Sequence, residues 1–277
     1  MQPVVGSTHM LSIRSLRHRA ALVLILISAV AQANQLDDVM ARRVLRVAVP
    51  REFPPFGFIY KGLPDGYDIA VARMLALDLD VRAELVPVAS SERIPALESG
   101  KVDLIVASLG RTPEREKVLD FSMAYAPLYL GVFGDQDAKP AAGFLGRRIG
   151  VSKGSLEEAE LVRRVPQATI VRLENSKAII EAYLKHEIEF MAVGSVVVES
   201  VTDVATRDRT KLHLLLKDSP CYIGLRKGEP ALLARVNKFL KDASESQALT
   251  VNAMVWFKAT LPADFFAQAH GQALPKP

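Results

Sequence analysis

Residues 100–125 read GKVDLIVASLGRTPEREKVLDFSMAY. The short apolar run over 102–106 predicts a buried strand, of the kind found in parallel sheets covered on both faces. It breaks into the small-residue turn Ala107-Ser108-Leu109-Gly110. Thr112-Pro113 then starts a helix, with Arg115 between Glu114 and Glu116. Ligands of open α/β sheets sit outside the carboxyl ends of the strands, which places Ser108, Gly110 and Arg115 at a ligand-binding edge. A guanidinium stays charged and forks onto carboxylates, so this turn suits a small anion. Pairing of Arg115 with Glu114, Glu116 or Asp120 on a solvated helix fits the same residues equally well.

The N-terminal residues predict export. Arg14, Arg17 and Arg19 precede an apolar run over 20–30 that ends in Ala31-Gln32-Ala33. A basic segment, an apolar stretch too short to span a bilayer and a small-x-small site define a cleavable leader. The expected cut follows Ala33, and Met10 offers a more ordinary start than Met1. With no Cys beside the cut and no second long apolar run, a soluble exported protein is expected. The formal charge of +4 falls to +1 once the three leader arginines are removed (4 − 3 = 1), which is no footprint for nucleic acid. Cys221 is the single cysteine, so no intrachain disulfide forms even in an oxidising compartment. The 244 residues after the cut (277 − 33) make one large or two small domains held by apolar cores.

Working outward, strand and helix patterns alternate. Strands are expected over 44–49 and 83–88, and helices over 68–79 and 91–99. Phe53-Pro54-Pro55-Phe56 cannot be helical, and Leu63-Pro64-Asp65-Gly66 is a turn. The pattern restarts with strands over 128–133, 148–152, 169–173, 188–193, 212–216 and 221–225. Helices are expected from 155 and over 177–185, 196–204, 232–244 and 248–257, with a frayed tail over 263–277. Such alternation argues a doubly wound α/β layer architecture.

Several motifs lead nowhere. Gly150-Val151-Ser152-Lys153-Gly154 matches G-x-S-x-G, but His186, His213 and His270 occupy uninformative settings. A Gly-Ser turn opening a helix N-terminus explains it better. His186-Glu187 lacks a second His one turn later, so no zinc site is expected. The pair Phe56 and Phe58 serves equally as a binding wall or as core.

With these residues in view, the chain resembles the family 3 periplasmic solute-binding proteins, the polar amino-acid receptors of ABC importers. The blocks that carry the likeness are LRVAVPREFPPF from Leu45, GYDIAVARMLA from Gly66 and IPALESGKVDLIVASLGRTPEREKVLDFSMAY from Ile94. GRRIGVSKGS from Gly146 and IGLRKGEPALLARVNKFL from Ile223 complete the order over roughly 44–257. The resemblance implies a two-lobed periplasmic binding protein fold, with two α/β lobes joined by two hinge strands and the ligand in the cleft. Lobe 1 is then 34–126 plus 223–262 and lobe 2 is 127–222, with hinge strands near 126–132 and 221–225. It implies a monomer without metal or cofactor that closes on its ligand and is recognised by an inner-membrane permease.

Carried over by position, the resemblance implies a first-lobe ring at Phe53 and a carboxylate clamp at Arg115. Further contacts are implied at Ala107, Ser108 and Gly110, with a second-lobe anion loop at Lys153, Gly154 and Ser155. Arg93 and Arg111 are further candidates, with Arg111 better read as a surface arginine. Three positions depart from the pattern. Ser90 stands where many members carry an aromatic ring, and Pro50 where receptors for basic amino acids often carry Asp. Gly194 stands where the family's Asp pairs with the ligand ammonium. Leaving a buried ammonium without its carboxylate costs about 3–5 kcal/mol. Either another acid, with Glu199 as a candidate, reaches the cleft, or the ligand lacks a conventional amino group.

The expected function is capture of a small carboxylate-bearing solute, an amino acid or close analogue, for transport. The alternative is a cyclohexadienyl dehydratase on the same fold, needing a cleft acid such as Glu199 or Glu52. A sensor module of a larger receptor is the third, less favoured option.

Overall fold

The computed structural model describes residues 34–135, 137, 144–200, 203–262 and 265–266, apart from the side chains of Glu199 and Ser200. The expected leader (1–33), His270 and the proposed role of the Glu199 carboxylate therefore lie outside the described residues. In chain order the first elements are α1 (Gln35–Arg42), β1 (Val44–Pro50), β2 (Glu52–Phe53), β3 (Gly57–Tyr60), β4 (Leu63–Asp65), α2 (Tyr67–Asp78) and β5 (Arg82–Val88). Next come α3 (Arg93–Glu98), β6 (Leu104–Leu109), α4 (Pro113–Glu116), β7 (Leu119–Ala126) and β8 (Tyr129–Asp135). Then follow β9 (Arg148–Ser152), α5 (Leu156–Arg164), β10 (Thr169–Leu173), α6 (Ser176–Leu184) and β11 (Phe190–Gly194). The last are α7 (Val204–Arg209), β12 (Thr210–Asp218), β13 (Cys221–Arg226), α8 (Pro230–Glu245) and α9 (Ala248–Phe257).

Two five-stranded sheets form, in the orders β5-β1-β6-β13-β7 and β10-β9-β11-β8-β12, beside a small β2-β3-β4 sheet. Strand β1 is parallel to β5 and β6, and β9 is parallel to β10 and β11. Strand β13 runs antiparallel to β6 and β7, and β8 antiparallel to β11 and β12. The sheets are therefore mixed rather than wholly parallel, because the chain leaves the first sheet after β7 and returns to it antiparallel as β13. Both crossings are short: Pro127-Leu128 leads out and Ser219-Pro220 leads back.

The period-2 alternation of strand side chains explains the apolar runs. Leu45, Val47 and Val49 of β1 and Leu104 and Val106 of β6 enter the largest core cluster. Ala48, Ile105, Ala107 and Leu109 point to the other face, against Ala96 and Leu97 of α3. In β11, Phe190 and Ala192 join the largest cluster while Met191 and Val193 pack with Ile179, Ile180 and Tyr183 of α6. Each sheet is thus covered on both faces.

Asp103, inside the run read as an apolar strand, is buried and paired with Arg42 at 2.5 Å and Arg46 at 2.8 Å. The helix expected over 196–204 is instead a 3₁₀ segment, Ser195–Ser200, followed by α7. Three successive valines disfavour an α-helix there, and Asp203 caps α7 by accepting from the Thr206 amide. Within the tail read as frayed, Phe265 is buried beside Ala124, with Tyr222 and Phe266 packed around them. Among the described residues, no helix is long and apolar enough to cross a membrane.

Candidate functional site

A pocket lies between the carboxyl ends of the parallel strands of both sheets. Pro50, Val88, Ala107 and Ser108 line it from β1, β5 and β6, and Ser152, Ala192 and Val193 from β9 and β11. Helix starts contribute Ser155 and Glu157 at α5 and Asn175 and Ser176 at α6, and the crossings add Leu128 and Ser219. Phe53 also lines the pocket, its ring stacked on that of Phe56 at 5.5 Å. Phe56 itself is fully buried core, and Phe58 meets Trp256 edge-on at 5.9 Å, so Phe53 alone of these three rings forms the wall.

Three arginines line this space: Arg51 pairs with Glu92 at 3.1 Å, and the other two are Arg93 and Arg115. Arg93, 8% exposed at the start of α3, donates through Nε to the Ser90 carbonyl at 3.1 Å and through Nη1 to the Ala107 carbonyl at 2.7 Å. Arg115 donates through Nη1 to the Gly110 carbonyl at 2.8 Å, while its amide donates to the capping hydroxyl of Thr112. These carbonyls fix both forks against the small turn that ends β6. Among the described residues no carboxylate comes within ion-pairing distance of either guanidinium. Glu116 instead pairs with the exposed Arg111, and Asp120 holds Lys227 at 2.9 Å. The solvated-helix pairing that competed for Arg115 is therefore not made. Burial, and then the like charge of Arg93, push the Arg115 pKa down to about 10, with Glu157 opposing them. Burial also lowers that of Arg93, against the favourable charges of Glu157 and Asp68. Both stay charged at neutral pH, and each makes the other costlier to hold without an anion.

Ser108 occupies the left-handed backbone region, with φ 47°. A non-glycine residue there costs on the order of 1–3 kcal/mol and persists where its surroundings over-determine it. Its Oγ donates to Asp68 Oδ2 at 2.7 Å and its amide to the Tyr125 hydroxyl at 3.2 Å. Tyr125 in turn donates to Asp68 Oδ1 at 2.7 Å, and Tyr67 donates to the Tyr125 carbonyl at 3.0 Å. Asp68 lies wholly buried behind the pocket wall. Burial raises its pKa to about 7, against the lowering hydrogen bonds from Tyr125 and Ser108 and the charge of Arg93.

Ser90, Gly110 and Ser155 also line the pocket, so the structure brings together Phe53, Ser90, Arg93, Ala107, Ser108, Gly110, Arg115 and Ser155. Ser155 caps α5 by accepting from the Glu158 amide at 3.1 Å. Lys153 and Gly154 are exposed and stand outside the lining. Gly154 instead abuts the first sheet's side: a Cβ there would lie 2.8 Å from Ser91 Cβ. Gly194 is buried behind the wall, where a Cβ would lie 2.9 Å from Leu128 Cδ1 and 3.3 Å from Phe53 Cζ. The Ser152 of the G-x-S-x-G match does reach the pocket, but neither His186 nor His213 does. His213 Nε2 lies 2.9 Å from the Asp135 carbonyl oxygen, so among the described residues no nucleophile–base pair assembles.

Sequence reading missed the acids of the second sheet's side, Glu157 and Glu174, together with Asn175 and Ser176. Their one local signal is position: each lies at or beside the start of a helix that follows a strand end.

The family model of bacterial extracellular solute-binding proteins, family 3, matches residues 45–259, and the chain belongs to that family. The ABC transporter glutamine-binding protein GlnH of Bacillus subtilis is 26% identical over 183 residues, 64% of this chain and 67% of its own. The L-cystine-binding protein TcyJ of Escherichia coli K12 is 24% identical over 243 residues, 84% of this chain and 90% of its own. Among solved structures, the ancestral amino acid-binding protein AncCDT-1, described as a precursor of cyclohexadienyl dehydratase, superposes with a TM-score of 0.73. It is 28% identical and covers 80% of this chain and 99% of its own.

Proposed function

We propose that this chain is the periplasmic substrate-binding protein of an ABC importer. It captures a small carboxylate-bearing solute, an amino acid or close analogue, in the pocket between the two sheets and delivers it to an inner-membrane permease. The observation that carries this reading is the pair of guanidinium groups, Arg93 and Arg115, held toward one pocket with no carboxylate in ion-pairing reach among the described residues. Two confined positive charges favour an anion strongly, and backbone carbonyls already fix their orientation.

Capture proceeds by closure about the two crossings, with the sheets acting as lobes 34–126 plus 223–262 and 127–222. Contacts to both sides at once are what allow a ligand to shift such an equilibrium. The leader over 1–33 directs export and is removed after Ala33.

Isothermal calorimetry of the leaderless protein against the common L-amino acids and L-cystine tests this. At least one should bind at micromolar concentration or tighter, without chemical change. Turnover of prephenate by the purified protein would overturn the transport reading in favour of a dehydratase.

A further inference from the structure

The α5 start places two glutamates side by side, and they face opposite ways. Glu158 turns outward, accepting from the Gly154 amide at 2.7 Å and pairing with Arg172 at 2.5 Å. Glu157 turns inward, lines the pocket and is 8% exposed. Among the described residues no hydrogen bond or ion pair reaches its carboxylate. Its charge is felt by both Arg93 and Arg115 across the cavity, beyond ion-pairing distance of either.

A buried carboxylate without a donor is costly, and the pocket is where a donor can enter. Other acids are worse placed. Asp68 does not line the pocket, and each of its oxygens already takes a hydroxyl, from Tyr125 or Ser108. Glu174 is exposed. Position 194 offers no side chain, and a Cβ there would press on Leu128 and Phe53.

We propose that Glu157 accepts a cationic nitrogen of the ligand, so that the pocket takes a zwitterion, its carboxylate toward Arg93 and Arg115 and its ammonium against Glu157. This rests on the solute-binding reading above and sets the class of solute within it. Glu157 then discriminates amino acids from their deaminated counterparts, because a 2-oxo acid would leave the Glu157 carboxylate unpaired beside its carbonyl oxygen.

The test is calorimetry of wild type, Glu157→Gln and Arg115→Met with each L-amino acid that wild type binds and with the 2-oxo acid of the same side chain. Wild type should prefer the amino acid. Glu157→Gln should lose roughly 30- to 100-fold in affinity for the amino acid while holding or improving its affinity for the 2-oxo acid. Unchanged amino-acid affinity in Glu157→Gln, with Arg115→Met still defective, would overturn the role of Glu157 and leave the solute-binding reading standing. Equal losses for both ligands would also overturn it, marking Glu157 as a structural counter-charge of the arginines. Unchanged affinity in Arg115→Met, or no binding by wild type, would overturn the solute-binding reading itself, and the proposal with it.

Discussion

The amide of Ser219 donates to the carbonyl of Leu128 at 2.8 Å, tying the outward crossing of the chain to its return. On one side of this bond Ala126 lies opposite Cys221, and on the other Tyr129 lies opposite Asp218. The crossings therefore run as an antiparallel pair beneath the pocket, to which Leu128 and Ser219 both contribute. A two-stranded connection of this kind permits bending through a few backbone torsions while each sheet stays rigid.

The proposed closure predicts a specific glycine effect. Gly154 sits at φ 73°, and a Cβ there would lie 2.8 Å from Ser91 Cβ and 3.0 Å from Ser91 Cα, across the cleft. Gly228 sits at a similar φ of 80° with nothing within 4 Å of its Cβ position. Alanine at either costs about 1 kcal/mol of backbone strain. Only Gly154→Ala should also weaken ligand binding, by tenfold or more, because it obstructs the closed form. Calorimetry of the two variants, with chemical denaturation to confirm matched stability losses, checks this.

The buried Asp68 makes stability fall as pH rises. Its folded pKa of about 7 lies above the ordinary carboxylate value, so between roughly pH 4 and 7 the folded state holds a proton that the unfolded state has released. The contribution of this group is full below pH 4, declines by up to about 1.4 kcal/mol per pH unit in that window and is flat above pH 7. Asp68→Asn should remove this component. Urea denaturation at pH 5 and pH 8 should show a smaller drop for the variant than for wild type, and parallel curves would contradict the assignment.

Asp103 carries structural work away from the pocket. It accepts from Arg42, Arg46 and the Arg46 amide, and Gln35 Nε2 donates to its carbonyl. Burial alone would raise its pKa, but the Arg46 bonds and the charges of both arginines hold it below the usual range. Because those arginines are about 30% exposed, Asp103→Asn should cost about 2–3 kcal/mol, at or below the low end for a broken buried pair. Ligand affinity should stay unchanged. Denaturation and calorimetry of this one variant separate the two effects.

Sequence patterning reveals much of this architecture for physical reasons. Runs such as those of β1, β6 and β11 are apolar on both faces, so they declare a covered sheet, and the carboxyl-end rule then points to Ser108 and Arg115. Chain direction was less legible, since an apolar run looks the same in a parallel or antiparallel neighbour, which is why β13 reads simply as one more strand. Asp103 escapes notice in its apolar run because its countercharges lie 61 and 57 residues earlier in the chain. Glu157 and Glu158 are chemically identical in sequence. Only the helix start at Leu156 turns one toward the pocket and the other toward Arg172. Likewise Phe265 reads as tail until Ala124 supplies a surface for it.

The central claim is that Arg115 clamps a ligand carboxylate, and calorimetry of Arg115→Met measures it most directly. Methionine keeps the length and apolar body of the side chain while removing the charge and the bond to the Gly110 carbonyl. A wild-type ligand should lose at least ~100-fold in affinity, as expected for a charge-assisted bond removed from a buried site, with the thermal unfolding midpoint within a few degrees of wild type. A folded variant that binds the same ligand as tightly as wild type would contradict the account.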